Sequence, residues 1–358
     1  MSRHFFHIFL LFFIASVLAK DCWDCTSDKD VWCVETSECN TTISFCPTPI
    51  LVSFETNFQN VPIFPLNCPS LPDPRYGYDD EFVRSQMMVI ATAAQNENPQ
   101  LCFDNQIPPM KLYQIRTVNC STRYNDVTCV GYTAYDVTQK AIVIAFKGAH
   151  GQDQMKQFEE DFLLYGMKTY FNGKGKVFKV IYDSFMLLWN GGMGQDLRQL
   201  KYKYPDYELW VNGHSLGGIL TWISSAYIVT NGLYQPEQMK VVAMGAARVG
   251  DYDFALWHSE TFPYSYHIIH RLDFAPRQPK TDPHSGAKLY QPRTEVWYDN
   301  YMRRGDPYAI CMEADGDYCS NAVNRTLIPE DHLFYFNINL PAWGHAGCPK
   351  NVTAYAQP

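Results

Sequence analysis

Tyr207-Glu-Leu-Trp-Val-Asn-Gly-His-Ser-Leu-Gly-Gly218 reads as a strand, a tight turn and the start of a helix run together. Glu208 to Asn212 is rich in apolar and β-favouring residues, as a short buried strand would be, and Ile219 to Val229 continues as an apolar helix. Between them Gly213-His214-Ser215-Leu216-Gly217 fills a G-x-S-x-G pattern, with Ser215 on the turn. Such a turn is tight enough that neighbouring backbone must pass close by two residues on either side of the serine. Glycine at 213 and 217 allows that. The geometry lifts the hydroxyl clear of the sheet. It also leaves the amide of Leu216 at a helix N-terminus, where unpaired donors and the positive end of the dipole favour a developing oxyanion. Five-residue matches of this kind recur by chance in long chains, so the strand before, the helix after and the additional Gly218 give the pattern its weight.

Outward from this stretch, strand and helix alternate. Lys140-Ala-Ile-Val-Ile-Ala-Phe146 is the strongest buried strand candidate and runs straight into Lys147-Gly148-Ala149. Val130 to Val137 is a strand before it, with Cys120 and Cys129 bracketing a hairpin. Gly151 to Gly175 is a long excursion in which Met155, Phe158, Phe162, Leu163 and Tyr165 are interleaved with Gln157, Glu159, Glu160 and Asp161, as in an amphipathic helix that is either an ordinary surface helix or a mobile lid. Phe185 to Leu200 reads as a helix broken at Gly191-Gly192, and Val241 to Met244 and Tyr266 to Ile269 as further strands. Alternation from about 140 to 270 predicts the α/β class, a mostly parallel sheet with helices on both faces. Asp79 to Ala94, after the proline-rich connector Pro62 to Pro74, is the helix that opens this domain.

The chain has 358 residues, 46% of them hydrophobic, enough for a sizeable core. A net charge of −8 and the lack of any basic helix or zinc-finger spacing argue against nucleic acid as a partner. Met1-Ser-Arg-His, an apolar run Phe5 to Val17 and small residues up to Ala19 predict a signal peptide over 1–19, too short to span a membrane comfortably. No later run approaches spanning length. Twelve cysteines, half of them in the cysteine-rich segment 20–70, and N-x-S/T sites at Asn40, Asn119, Asn324 and Asn351 fit an oxidising, secretory route. The expected location is extracellular, with the lumen of an acidic organelle left open.

A serine hydroxyl needs a base, and the base needs a carboxylate to orient it. In a G-x-S-x-G enzyme these follow in the order carboxylate, then histidine, from loops at the carboxyl edge of the sheet. Asp273 follows a strand and precedes the rigid turn at Pro276, with Asp251 and Asp253 as rivals. His332 opens the aromatic segment Leu333 to Phe336, with His284 and His345 as rivals.

At these residues the chain resembles the fungal-type, or class 3, lipases of the α/β-hydrolase superfamily. The likeness is carried by Ile142 to Gly148, Gly213 to Gly218, Gly245-Ala-Ala-Arg-Val-Gly250, Asp273 with Pro276, Glu295-Val-Trp-Tyr298, Cys319-Ser-Asn321 and Asp331-His332, in the family's order and at similar spacings. The resemblance covers about 75–348, leaving a tail at 349–358, and implies a catalytic triad of Ser215, Asp273 and His332. It also implies the amide of Ala149 as second oxyanion donor beside Leu216, a lid in the segment after 149, and a disulfide between Cys102 and Cys348. No cofactor or metal is implied. Two departures stand out: the family usually has arginine where Lys147 stands, and serine or threonine where Ala149 stands. The expected function is a secreted carboxylic ester hydrolase, most simply a lipase on acylglycerols. An esterase on soluble or feruloyl-type esters and an inactive binding protein of the same fold are the alternatives. Because the base must be neutral, activity should fall as pH drops through the ordinary histidine range, near ~6.5.

Overall fold

Ala141–Phe146 (β3) is buried at every residue, because it lies inside a sheet covered on both faces. Ile142, Ile144 and Phe146 point into one apolar layer, and Ala141, Val143 and Ala145 into the other. Burial of each large side chain contributes about 1.5–3 kcal/mol, so the continuous apolar run specifies this strand strongly. The structure is a computed structural model and describes residues 31–33, 38–40, 49–50, 72–120, 127–149, 151–312, 315, 319–322 and 325–357. The signal peptide expected over 1–19, most of the segment 20–70 and Asn324 lie outside the described residues.

The chain divides into two compact units, Met1–Ser70 and Leu71–Pro358. In the first, Val31–Cys33 pairs antiparallel with both Glu38–Asn40 and Pro49–Ile50, and Asn40 ends the second of these strands.

The second unit carries an eight-stranded sheet whose strands lie side by side in chain order: β1 (Met110–Asn119), β2 (Thr128–Asp136), β3, β4 (Glu208–His214), β5 (Met239–Met244), β6 (Ser265–His270), β7 (Glu295–Tyr298) and β8 (Ala309–Cys311). β3 to β7 are mutually parallel, and β1, β2 and β8 join antiparallel at the two edges. The parallel strands therefore all end at one edge of the sheet, where such folds assemble their sites. Cys120 and Cys129 close the β1–β2 hairpin as a disulfide.

Both faces of the sheet carry helices. Residues 80–93 form α1, widened by a π-type turn at Val83–Met87, and pack with Trp343 on the face of Trp210, Val242 and Met244. α2 (Gln100–Gln106) follows. On the opposite face lie α4 (Lys179–Leu188), α5 (Gly194–Lys203) and α6 (Leu216–Thr230), after α3 (Gly151–Tyr165). The break expected at Gly191-Gly192 is a wide turn, Trp189–Met193, with Gly192 at φ 121°; the helix before it starts at Lys179, earlier than the apolar run suggests. α7 (Tyr252–Thr261) and α8 (Leu340–His345) complete the unit. Cys102 in α2 is bonded to Cys348, and Asn105 and Gln106 donate to the carbonyls of Gly347 and Cys348, so the last turns are held to the first. Among the described residues no helix is long and apolar enough to cross a membrane.

Candidate active site

Ser215 follows β4 and precedes α6 with φ 60° and ψ −125°, a conformation that costs free energy and is held by its surroundings. Its amide donates to the carbonyl of Met244 on the neighbouring strand at 2.9 Å. A Cβ on Gly217 would stand 2.3 Å from the carbonyl oxygen of Phe146, and one on Gly213 would stand 2.3 Å from the carbonyl carbon of Gly217. Any side chain at either position would push β3 or the helix away, so the two glycines set the turn.

His332 reaches Ser215 from the far end of the sequence: its Nε2 lies 2.8 Å from Ser215 Oγ, and its Nδ1 lies 2.9 Å from each Asp273 oxygen. An ionised carboxylate only accepts, so Nδ1 carries the proton and Nε2 is left to accept from the serine hydroxyl. Two loops, after β6 and around the short turn Pro329–His332, are zipped together to make this meeting. The amide of Ile328 donates to Leu272 O at 2.9 Å, that of Leu272 to the Asp331 carboxylate at 3.2 Å, and His270 Nδ1 to Asp331 O at 2.9 Å. His214, one residue before Ser215, adds a bond from its Nε2 to the carbonyl of His332 at 2.8 Å. Burial first, and then the neighbouring His332, push the His214 pKa down to about 3, so His214 stays neutral and acts as a fixed donor.

Asp273 is buried, and burial alone would raise its pKa. His332 beside it, the phenol of Tyr335 donating at 2.6 Å and the amide of Ala275 donating at 2.9 Å outweigh that and hold the carboxyl below its ordinary value. The Tyr335 phenol is itself pushed well above its usual pKa, by burial and then by Asp273, so it remains a donor.

The rival residues are engaged elsewhere. Asp251 caps α7, accepting from the amides of Phe254 and Lys176, and Asp253, His284 and His345 are exposed. Leu216 is the first residue of α6, with its amide at the helix N-terminus. Ala149 is partly buried in the loop after β3, and Gly148 beside it backs onto Ser215. On α3, Phe158 is buried and Phe162 stacks on Phe178 with centroids 4.3 Å apart, whereas Leu163 and its neighbour Leu164 are exposed. The buried side of α3 also carries Gln154, Gln157 and Asp161, a more polar face than the apolar spacing suggests. The side chain of Met155 lies outside the described residues. Asn119 and Asn351 are exposed.

Three contributors escape a reading of local pattern: His214, Asp331 and Tyr335. His214 and Asp331 stand beside Ser215 and His332 in the stretches already quoted, and Tyr335 lies in the aromatic run after His332, but no local pattern gives any of the three its contact.

The family model of the class 3 lipases, described as "Lipase (class 3)", matches residues 143–282. An uncharacterized protein of Caenorhabditis elegans is 44% identical over 258 residues, covering 72% of this chain and 93% of that one. A lipase of the same organism is 27% identical over 312 residues, covering 76% of this chain and 83% of its own. Among solved structures, lipase II from Rhizopus niveus superposes with a TM-score of 0.60 at 22% identity, covering 75% of this chain and 96% of that one. Together with the sheet and its helices, these matches show that the chain belongs to the class 3 lipase family and has the α/β-hydrolase fold.

Proposed function

We propose that this protein is a secreted serine hydrolase of carboxylic esters, acting as a lipase on acylglycerols. The reading is carried by the hydrogen-bonded chain Ser215, His332, Asp273 at the carboxyl edge of the parallel strands. Ser215 Oγ attacks the acyl carbonyl as His332 Nε2 takes its proton. The carbonyl pair moves to oxygen, which the amides of Leu216 and Ala149 receive. Asp273 holds the imidazole in the right tautomer and stabilises its positive charge. Collapse of the intermediate expels the alcohol, protonated by His332, and water repeats the cycle on the acyl-enzyme. Secretion is supported by the N-terminal leader pattern and by the disulfides Cys102–Cys348, Cys120–Cys129 and Cys311–Cys319, bonds that persist in oxidising compartments.

An ester of soluble or aromatic acids is the competing substrate class. Exposed Leu163 and Leu164 favour an apolar interface, since two adjacent exposed leucines gain by meeting lipid. Rates on p-nitrophenyl esters and triacylglycerols of increasing chain length, taken below and above the solubility limit, separate the two. A rise in rate when an emulsion forms is expected. A profile that peaks on short soluble esters and ignores the interface would assign the protein to the esterases.

A further inference from the structure

Gly148 and Ala149 bring only backbone donors to the oxyanion side of Ser215, since neither carries a polar side chain. Another polar group reaches this place from α1. A Cβ on Gly148 would stand 3.2 Å from Gln95 Nε2, 3.2 Å from the carbonyl oxygen of His214 and 3.5 Å from Cβ of Ser215. The carboxamide therefore borders the same small space as the nucleophile, and glycine at 148 keeps that space open. Delivery follows from the run of α1 beside β4. Phe82 meets the ring of Trp210 edge-on at 4.9 Å, the carbonyl of Met87 accepts from Asn212, and Gln95, just past the helix end, arrives at His214.

Gln95 is only 6% exposed, and its carboxamide has no hydrogen-bond partner among the described residues. The neighbouring Asn96, by contrast, donates to the carbonyls of Gly344 and His345. A nearly buried residue whose amide tip keeps contact with solvent and bonds no neighbour is uncommon. It becomes understandable where charge appears only during a reaction, because a donor fixed in advance then acts on the transition state without reorganising. Bonds of this kind are commonly open in a resting site and close around the intermediate.

We propose that Gln95 is a further catalytic residue, whose Nε2–H donates to the oxyanion formed when Ser215 attacks the acyl carbonyl. It does so beside the amides of Leu216 and Ala149. The proposal rests on the reading of Ser215 as nucleophile. Gln95 gives up no proton: the serine proton goes to His332, the carbonyl pair goes to oxygen, and the carboxamide only hydrogen-bonds the resulting charge. It therefore acts on kcat and leaves KM nearly unchanged.

The test compares full-length wild type, Q95M, Q95E and the double variant Q95M/A149S. Hydrolysis of a soluble p-nitrophenyl ester and the rate of inactivation by a fluorophosphonate are measured, with thermal melting recorded for each protein. Q95M keeps the volume and loses the donor, so kcat and the inactivation rate should both fall on the order of 10²-fold at similar KM. Q95E, which brings a negative charge towards the oxyanion, should fall further. A149S should restore at least about tenfold of the Q95M loss by supplying a hydroxyl donor on the same loop. Unchanged kcat in a folded Q95M, or a loss that A149S leaves untouched, overturns the Gln95 proposal alone. A wild type that the fluorophosphonate does not label overturns the reading of Ser215, and the Gln95 proposal with it.

Discussion

Tyr335 and His214 hold the imidazole of His332 and its carboxylate partner from two sides, through chemistry that a change of pH near neutrality does not disturb. The Tyr335 phenol stays protonated and donates to Asp273, while His214 stays neutral and donates to the backbone of His332. A hydrogen bond to a charged group contributes about 1.5–3 kcal/mol, and a carboxylate that loses one holds the imidazolium less well. Tyr335→Phe is therefore expected to lower kcat about tenfold at similar KM. Steady-state kinetics on a soluble ester checks this, and an unchanged kcat would reduce the phenol to packing. At this scale Ser215 was legible because its motif foretells its own flanks. The carboxylate and the imidazole that meet it were not legible from local pattern. Asp251 and Asp273 both precede a turn of helical hydrogen bonding; the strand before Asp273 and the proline turn after it favoured that residue, and the resemblance to a family completed the choice. The reason is physical: what distinguishes Asp273 is its contact with a loop 59 residues away, which no local window contains.

Elements matter here through where they end. β3, β4 and β6 deliver the loop of Ala149, Ser215 and Asp273 to one edge, and α1 pins β4 through the Asn212 amide, which donates to the carbonyl of Met87. β3 and β4 were readable because strands buried on both faces show as unbroken apolar runs. α4 was read short because Lys179 and Tyr182 interrupt the apolar signal at its first turn. In α3 the polar residues Gln157 and Asp161, expected on the outer side of an amphipathic helix, turn inward together with Gln154. The Cys102–Cys348 link clamps α2 to the last turns across a sequence separation of 246. Closing a loop of that size limits the unfolded chain, so Cys102→Ala with Cys348→Ala should destabilise the protein by about 2–5 kcal/mol. Urea denaturation of the double variant measures it, and an unmoved midpoint would mean that the hydrogen bonds of Asn105 and Gln106 suffice.

For the molecule as a whole, buried titratable groups set how stability follows pH. Burial pushes the pKa of His214 and His258 down to about 3 and that of His267 to about 4. Folded, these rings stay neutral well below ~6.5, where the unfolded chain already takes up protons. In that window the unfolded state binds more protons, so stability falls as pH falls, by up to about 1.4 kcal/mol per unit for each ring. Glu295 acts in the opposite sense. Burial raises its pKa to about 7, so the folded chain keeps a proton that the unfolded chain loses above ~4.3, and stability falls as pH rises through that interval. Three imidazoles outweigh one carboxyl. The melting temperature should therefore drop between pH 6 and pH 4, and Glu295→Gln should stabilise the protein at pH 8 but not at pH 4. A melting temperature that holds or rises on acidification would contradict this balance. The architecture itself was legible from the alternation of strand and helix after residue 140.

The central claim is that three side chains from distant parts of the chain make an otherwise inert alcohol reactive. Incubation with a fluorophosphonate followed by peptide mass spectrometry reads this directly. Stoichiometric modification at Ser215 is expected, absent in Ser215→Ala and slowed by several orders of magnitude in His332→Ala. A folded wild type that remains unmodified, or one modified at the same rate without His332, would contradict the account.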